Sequence, residues 1–421
     1  MELMQSQRTV ALISAAMCLT IGIAGLCFAC AVFTLPARSQ GGKPGQAVTV
    51  HNPREFREAV GRAKPGSRIL LAPGQYGGDF YFSNVNGAPG RPIVIAAADP
   101  GRPPVFSGAG TGLHFAAASY LELRDLTVER MSDNGINIDD GGKYDTPARK
   151  ISCLRLHVRD IGPGGNHDGL KLSGIDDFRI EDCTIERWGT GGGSAIDMVG
   201  CHDGVITNSA FRHTDETGST GIQAKGGCSR LTIRGNRFES AGGRAVNVGG
   251  STGLEFFRPP LKSLAGKPFS EAQEIVVEGN TFLGAGAPVA FVGVDAATVR
   301  FNTIYRPKRW AFRILQETSS PGFVPSRKGV VTDNIVVFRS GDWGGAVNVG
   351  PGTAPDTFRF ARNLWYCEDA PSRSRPELPT PETGGLYGTD PQFRDSAHGD
   401  LRVKPGSPAK GRGAEALPSA Q

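Results

Sequence analysis

One short phrase recurs eight times along the chain: a small residue, then a central residue flanked by two apolar ones. It reads Gly135-Ile136-Asn137-Ile138, Gly169-Leu170-Lys171-Leu172, Ala195-Ile196-Asp197-Met198 and Gly221-Ile222-Gln223-Ala224. It continues as Ala245-Val246-Asn247-Val248, Pro288-Val289-Ala290-Phe291, Ala311-Phe312-Arg313-Ile314 and Ala346-Val347-Asn348-Val349. Strict alternation specifies an extended strand with one face buried. A second phrase, a polar residue (usually Asn), any residue, then an apolar one, alternates with the first. It appears at Asp182, Asn208, Asn236, Asn280, Asn302, Asn334 and Asn363. No unit is long enough to fold alone, so the units must stack on one another.

Short parallel strands repeated in matched order predict an all-β chain, a single-stranded right-handed parallel β-helix of about nine or ten coils. The Asn positions then have a physical purpose. A buried turn leaves backbone groups unpaired, and stacked amide side chains bond those groups and each other. The repeat spacing lengthens at 139–149, 250–273, 316–328 and 350–357. Each insertion follows a strand of the first phrase, so the insertions should form one wall beside one sheet. Composition agrees. With 59 Gly and 29 Pro scattered over 421 residues, helical bundles are excluded; 39% hydrophobic residues exclude wholesale disorder. The net charge of +5 comes without a Lys/Arg run of the kind that marks a nucleic-acid footprint, so no nucleic-acid partner is expected, and the chain should be a monomer.

Val10–Leu35 carries no charged residue and is preceded by Arg8. Residues 1–39 therefore read as a signal peptide or an N-terminal membrane anchor. In both cases the rest is exported, to a periplasmic, extracellular or membrane-tethered location, and touches membrane only through this segment. Three of eight cysteines lie there (Cys18, Cys27, Cys30); the others (Cys153, Cys183, Cys201, Cys228, Cys367) show no metal-binding spacing. Cys201 and Cys228 occupy similar places in successive repeats, as a disulfide or as stacked free thiols. The β-helix domain is expected over 40–420, with an N-terminal cap at 46–66 and a C-terminal cap or tail at 366–420. Asn52-Pro53-Arg54-Glu55 is a capping box with Pro at the first helical position, and Phe56, Ala59, Val60 and Ala63 follow at helical spacing. A short helix over 53–63 should plug the open end of the stack.

The segments "NPREFREAVGRAKPGSRILLAPGQYGG", "APGRPIVIAAADPGRPPVFSG" and "DPQFRDSAHGDLRVKPGSPAKGRGA" resemble the opening and closing segments of right-handed parallel β-helix proteins of the pectate-lyase-like superfamily. The likeness spans about 45–415. It implies the fold and leaves the activity open, since that superfamily holds lyases, hydrolases, epimerases and non-enzymes.

The central residues of the triplets point outward, and coils stack ~4.8 Å apart. The outward column is Asn137, Lys171, Asp197, Gln223, Asn247, Ala290, Arg313, Asn348; two residues on, a second runs Asp139, Ser173, Val199, Lys225, Gly249, Val292. The first four or five coils thus carry the polar, charged patch. Such a face suits an acidic polysaccharide, and β-elimination of a uronate chain needs a base, a cation for the carboxylate and a groove. Lys171 is the first candidate base and Lys225 the second. Asp197 should sit beside Lys171, where its charge raises the lysine pKa and opposes a base role. Asp133, Asn134, Asn137, Asp139 and Asp168 offer oxygen ligands on two adjacent coils, the donor type that Ca²⁺ takes. The layout is similar to polysaccharide lyase family nine, which implies Asp133, Asn134 and Asn137 as calcium ligands and Lys171 as base, although two of those ligands are amides here. It also resembles polysaccharide lyase family six, whose catalytic Lys matches Lys225. That family's calcium acids fall at Gly218 and Thr220 and its partner Arg near Val248; none is present, and Arg244 lies nearby.

Two rival readings remain. Hydrolysis needs paired carboxyls, which Asp168 and Asp197 supply from adjacent coils, and an epimerase shares the same fold. A non-catalytic module binding glycan or protein needs only the groove. Tyr144, Trp188, Trp310 and Trp343 flank the triplet strands, either to stack on sugars or to pack loops onto the helix.

Overall fold

The computed structural model describes residues 47–417 except 215–217 and 265. The expected signal peptide or anchor, with Cys18, Cys27 and Cys30, lies outside the described residues. Among the described residues no helix is long and apolar enough to cross a membrane.

The chain winds as a right-handed parallel β-helix. Its strands form three long parallel sheets of 13, 12 and 10 strands among the described residues, each strand pairing with its counterpart one coil away. The ten-stranded sheet contains all eight triplet strands, in chain order and in register. Asn137 pairs with Lys171, Lys171 with Asp197, Asp197 with Gln223, and Gln223 with Asn247. The column continues through Ala290 and Arg313 to Asn348. Two further strands, Phe80–Ser83 and Leu113–Ala116, extend this sheet toward the N-terminus and add Tyr81 and His114 to the outward column.

Alternation decides which side chains fill the interior. Ile136, Ile138, Leu170, Leu172, Ile196 and Met198 are all essentially inaccessible to water. Like side chains stack between coils: the rings of Phe211, Phe238 and Phe282 lie 4.9 and 4.8 Å apart in sequence. The helix Pro53–Gly61 forms as expected, with the Asn52 side chain accepting from the Glu55 N–H at 3.0 Å. Its Phe56 is fully buried and meets Phe80, Phe82 and Phe106 edge-on or tilted, closing the N-terminal end of the stack.

The amide ladder is real, with a change of register at its start. Asn236, Asn280, Asn302, Asn334 and Asn363 are buried; each of the first four donates from Nδ2 to the Oδ1 of the next at 2.9–3.1 Å, and Asn363 ends the ladder by donating to Glu382 Oε1 at 2.7 Å. Each Oδ1 also accepts the backbone N–H of the coil before it. Asp182 and Asn208 do not belong to the ladder. They hold the left-handed turn position just before it, at φ 55° and 52°, and the ladder places are taken by Cys183 and Ser209. Asp and Asn suit a left-handed turn as well as an amide ladder, which explains the offset. Cys201 and Cys228 are buried free thiols; the Cys201 N–H points at Cys228 Sγ, 3.2 Å away.

The strands Leu364–Cys367 and Leu386–Tyr387 end the twelve-stranded sheet, and the chain beyond them packs back against its outer face. Leu401 and Ala409 join Tyr305, Ile335, Val337 and Leu364 in a small separate apolar cluster.

Candidate functional site

The ten-stranded sheet is the floor of a cleft of about 650 Å³. Tight turns and long insertions both occur along one edge of this floor. Gly174 (φ 62°) and Gly200 (φ 59°) turn the chain directly into the next sheet. The insertions 140–147 and 250–271 rise on either side of these tight corners. The second folds back over four coils, ~19 Å at the coil spacing, to reach the first. Arg258 makes the join: its guanidinium grips Asp140 through two hydrogen bonds of 2.5 and 3.1 Å and lies 4.1 Å from the ring centre of Tyr144. Its stem crosses the bare Cα of Gly200, where a β-carbon would sit 2.4 Å from Arg258 Cβ. Fully buried Glu271 fixes the root of this insertion, accepting from the Gly226 and Thr252 N–H groups and from both threonine hydroxyls of Thr252 and Thr318.

On the floor, four charged groups form a chain. Asp168, with no exposed surface, accepts the Ser194 N–H on Oδ1 (2.8 Å) and the Lys171 ammonium on Oδ2 (2.7 Å). Lys171 also donates to Asp197 Oδ2 at 3.2 Å. The Lys225 ammonium lies 3.1 Å from the other oxygen, Asp197 Oδ1. Burial alone would lower the Lys171 pKa, but the carboxylates of Asp197 and Asp168 outweigh it and raise it. The ammonium is thereby held charged, against the expectation of a neutral base at this position. Burial, and then the Asp197 charge, push the Asp168 carboxyl up in spite of Lys171.

One coil beyond Asn137 stands a second device. His114 Nε2 lies 2.6 Å from Asp139 Oδ2, and Asp139 Oδ1 accepts the Gly141 N–H at 2.7 Å. Burial works to raise the Asp139 pKa, but the contacts with His114 and Gly141 prevail and lower it, so the carboxylate stays ionised. The Tyr81 ring meets the imidazole edge-on at 4.9 Å. Between dyad and lysine, Asn137 Oδ1 is buried and accepts no hydrogen bond.

The five oxygen ligands expected for Ca²⁺ do not converge. Asp133 bonds the Thr111 hydroxyl and His167 Nδ1; Asn134 accepts the Asp168 N–H at 2.7 Å. Both oxygens of Asp139 and both of Asp168 are taken by the partners above, at opposite ends of the strands. Among the described residues no three His, Cys, Asp or Glu side chains are grouped to hold an ion. The donor set does not fit a shared calcium, because the oxygens of Asp133, Asn134, Asp139 and Asp168 already serve turns or ion pairs, and Asn137 Oδ1 alone is left over.

Arg244 stands apart from the cleft lining. It pairs with Glu317 at 2.6 Å and donates to Asn247 Oδ1 at 3.1 Å, on the next stretch of the same face. Of the four flanking aromatics, Trp188 packs against His213, and Trp343 stacks on Phe338 at 3.9 Å. Tyr144 lines the cleft, and Trp310 sits between arginines further along. Sequence reasoning missed Tyr81, His114 and Arg258. Gly112-Leu113-His114-Phe115 obeys the triplet phrase and was a usable signal.

The chain matches the family model described as "Right handed beta helix region" over residues 111–309. No curated protein matches it in sequence. Among solved structures it is similar to the pectate lyase Pel9A (TM-score 0.53, 14% identity, 87% of this chain and 82% of that one). It is equally similar to a family 6 polysaccharide lyase from Pseudopedobacter saltans (TM-score 0.53, 14% identity, 87% and 99%). At such identity the likeness is one of fold.

Proposed function

We propose that this protein is a polysaccharide lyase that cleaves a uronate-containing chain by β-elimination. The observation that carries the reading is the outward column His114–Asn137–Lys171, which sets an oriented imidazole, an unpaired amide and a fixed cation side by side on the cleft floor. Two of the structures sharing the fold are named as lyases, one of pectate, which supports the substrate class.

Lys171, kept as an ammonium by its two carboxylates, faces the substrate carboxylate with the Asn137 amide and offsets the charge that develops there. The base is His114. Asp139 holds Nε2–H, which leaves Nδ1 as the lone-pair nitrogen. That nitrogen takes the proton on the carbon bearing the carboxylate. The electron pair moves through the enolate to form a carbon–carbon double bond, and the glycosidic oxygen leaves and takes a proton from solvent. Lys225, across Asp197, is placed for the acid group of a neighbouring sugar. No step is routed through a metal.

The test incubates purified protein with a panel of uronate polysaccharides, with calcium and with a chelator, and follows ultraviolet absorbance of the unsaturated product. The expected result is signal on one polymer, abolished by His114→Ala and largely kept by Lys171→Arg. New reducing ends without absorbance would overturn elimination in favour of hydrolysis at Asp168 and Asp197. Binding with no bond cleavage would leave the module reading, which the self-compensated charge of Lys171 favours.

A further inference from the structure

Past Asn247 the floor of the groove changes character. Ala290, fully buried, leaves the column low, and beyond it Arg313 rises from the strand Phe312–Leu315. Arg313 Nε donates to Asn348 Oδ1 at 3.0 Å. Its guanidinium lies 4.6 Å from the ring centre of Trp310, and that of Arg309 lies 4.2 Å from the same ring. A planar guanidinium held on an indole keeps its N–H edge free to grip a carboxylate through two bonds.

The charge here is unbalanced. Arg313 has Arg244 and Arg309 beside it against one acid, Glu317, and that acid pairs with Arg244. Among the described residues no carboxylate pairs with Arg309 or Arg313. Burial and then the nearby Arg244 charge lower the Arg313 pKa, a measure of how crowded the cations are. An anion placed among them relieves that repulsion, and none of the described residues supplies one to Arg309 or Arg313.

We infer that Arg313, Arg309 and Trp310 form a distal subsite that binds the carboxylate of a uronate residue in the same polysaccharide chain that occupies the cleft. This rests on the reading of the chain as acting on an acidic polysaccharide. Five strand steps separate Lys171 from Arg313, so the subsite lies ~24 Å along the groove at ~4.8 Å per coil. A short oligosaccharide in the cleft cannot reach it; a long one must pass over it. Arg244, expected in the catalytic set, then belongs to the path between the two.

The experiment measures affinity of the full chain for galacturonate, mannuronate and guluronate oligomers of graded length, by titration calorimetry, beside neutral oligomers of equal length. Arg313→Gln and Trp310→Ala are compared with the parent, with melting temperature as the fold control; Arg309→Gln, on an exposed side chain, serves if either loosens the coil. The expected result is a roughly tenfold loss of affinity for acidic oligomers long enough to span both sites, one carboxylate contact being worth ~1.4 kcal/mol, with no change for trimers. Equal affinity of variants and parent for long acidic oligomers overturns the subsite, as does an equal loss for trimers or for neutral oligomers. Absence of unsaturated product, with the length-dependent loss present, removes the lyase reading and leaves the subsite standing.

Discussion

Replacing Lys171 by Met isolates the energetics of the cleft floor. Methionine keeps much of the aliphatic stem and removes the ammonium, so Asp168 and Asp197 face each other with Lys225 as the one remaining cation in their chain. Breaking a buried ion pair from one side costs about 3–5 kcal/mol. Lys171 keeps 33% of its side chain exposed while its partners keep 0% and 5%, so water screens part of the effect and about 3 kcal/mol is expected. The cost must depend on pH. In the parent, Lys171 has a raised pKa, so its contribution is complete below the ordinary lysine range and is lost only as pH rises through the folded value. Asp168 already has a raised pKa from burial and Asp197, and loss of the ammonium raises it further. As pH falls, Asp168 takes up a proton and the repulsion disappears. The destabilisation should therefore shrink from about 3 kcal/mol near pH 8 to about 1 kcal/mol in mild acid. Adding Asp168→Asn, which keeps an acceptor for the Ser194 N–H, should recover most of the loss at every pH. Urea midpoints by circular dichroism, with the slope checked for constancy, provide the measurement. A small, pH-independent cost, or no recovery in the double variant, refutes the charge-chain reasoning. One consequence is practical: lost turnover in Lys171→Ala speaks to folding as much as to catalysis, and Lys171→Arg is the informative variant.

Three further outcomes follow from the same structure. Asn302→Ala strips partners from the Asn280 N–H and the Val277 carbonyl and should cost roughly 2–5 kcal/mol, whereas Asn208→Gly, at a left-handed turn position, should stay within about 0.5 kcal/mol by thermal denaturation. Arg258→Met leaves Asp140 buried without its partner; a loss of about 3–5 kcal/mol in local stability should appear as faster proteolysis within 250–271, with the coil strands still protected. His202 is half-buried, which works to lower its pKa, yet its 2.6 Å contact with Asp176 wins and raises it. Its stabilising contribution is thus complete below about pH 6.5 and lost as pH rises through the folded value, so the melting-temperature gap between parent and His202→Gln should narrow from acid to alkaline buffer.

How far the sequence alone reached depends on whether a feature is written by periodicity. The sheet register was legible because alternation leaves one solution: Asn137, Lys171, Asp197 and Gln223 stand in the order their triplets predict. The same phrase at Gly112-Leu113-His114-Phe115 carried His114 as well, and it was passed over. Three other features have no periodic signature. The Arg258–Asp140 contact joins residues far apart in sequence inside irregular insertions. The ladder start was misplaced because Asp182 and Asn208 suit a left-handed turn as well as an amide stack. The charge state of Lys171 turns on the sign of a net shift, which no periodicity writes. Adjacency to Asp197 was foreseeable; the second grip by Asp168, which adds to the upward shift of the lysine pKa, follows from the strand-entry turn.

The charges of the groove argue for a division of labour along it. In the cleft, Asp139, Asp140, Asp168 and Asp197 stand against Lys171, Lys225 and Arg258, so this end carries no cationic excess when His114 is neutral. Such a balance preorganises the floor, since every charge already has its partner and need not reorganise during reaction. It also offers little general attraction for an acidic polymer. The cationic excess sits instead at Arg309 and Arg313, five strand steps away, where the column is otherwise low and uncharged. Binding energy gained there does not touch the reacting sugar, yet it can hold the reacting sugar against a floor that would not retain it alone. On the proposed reading the two ends are complementary: a rigid cleft without cationic excess that discriminates the reacting geometry, and a remote cationic grip that makes long chains better ligands than short ones.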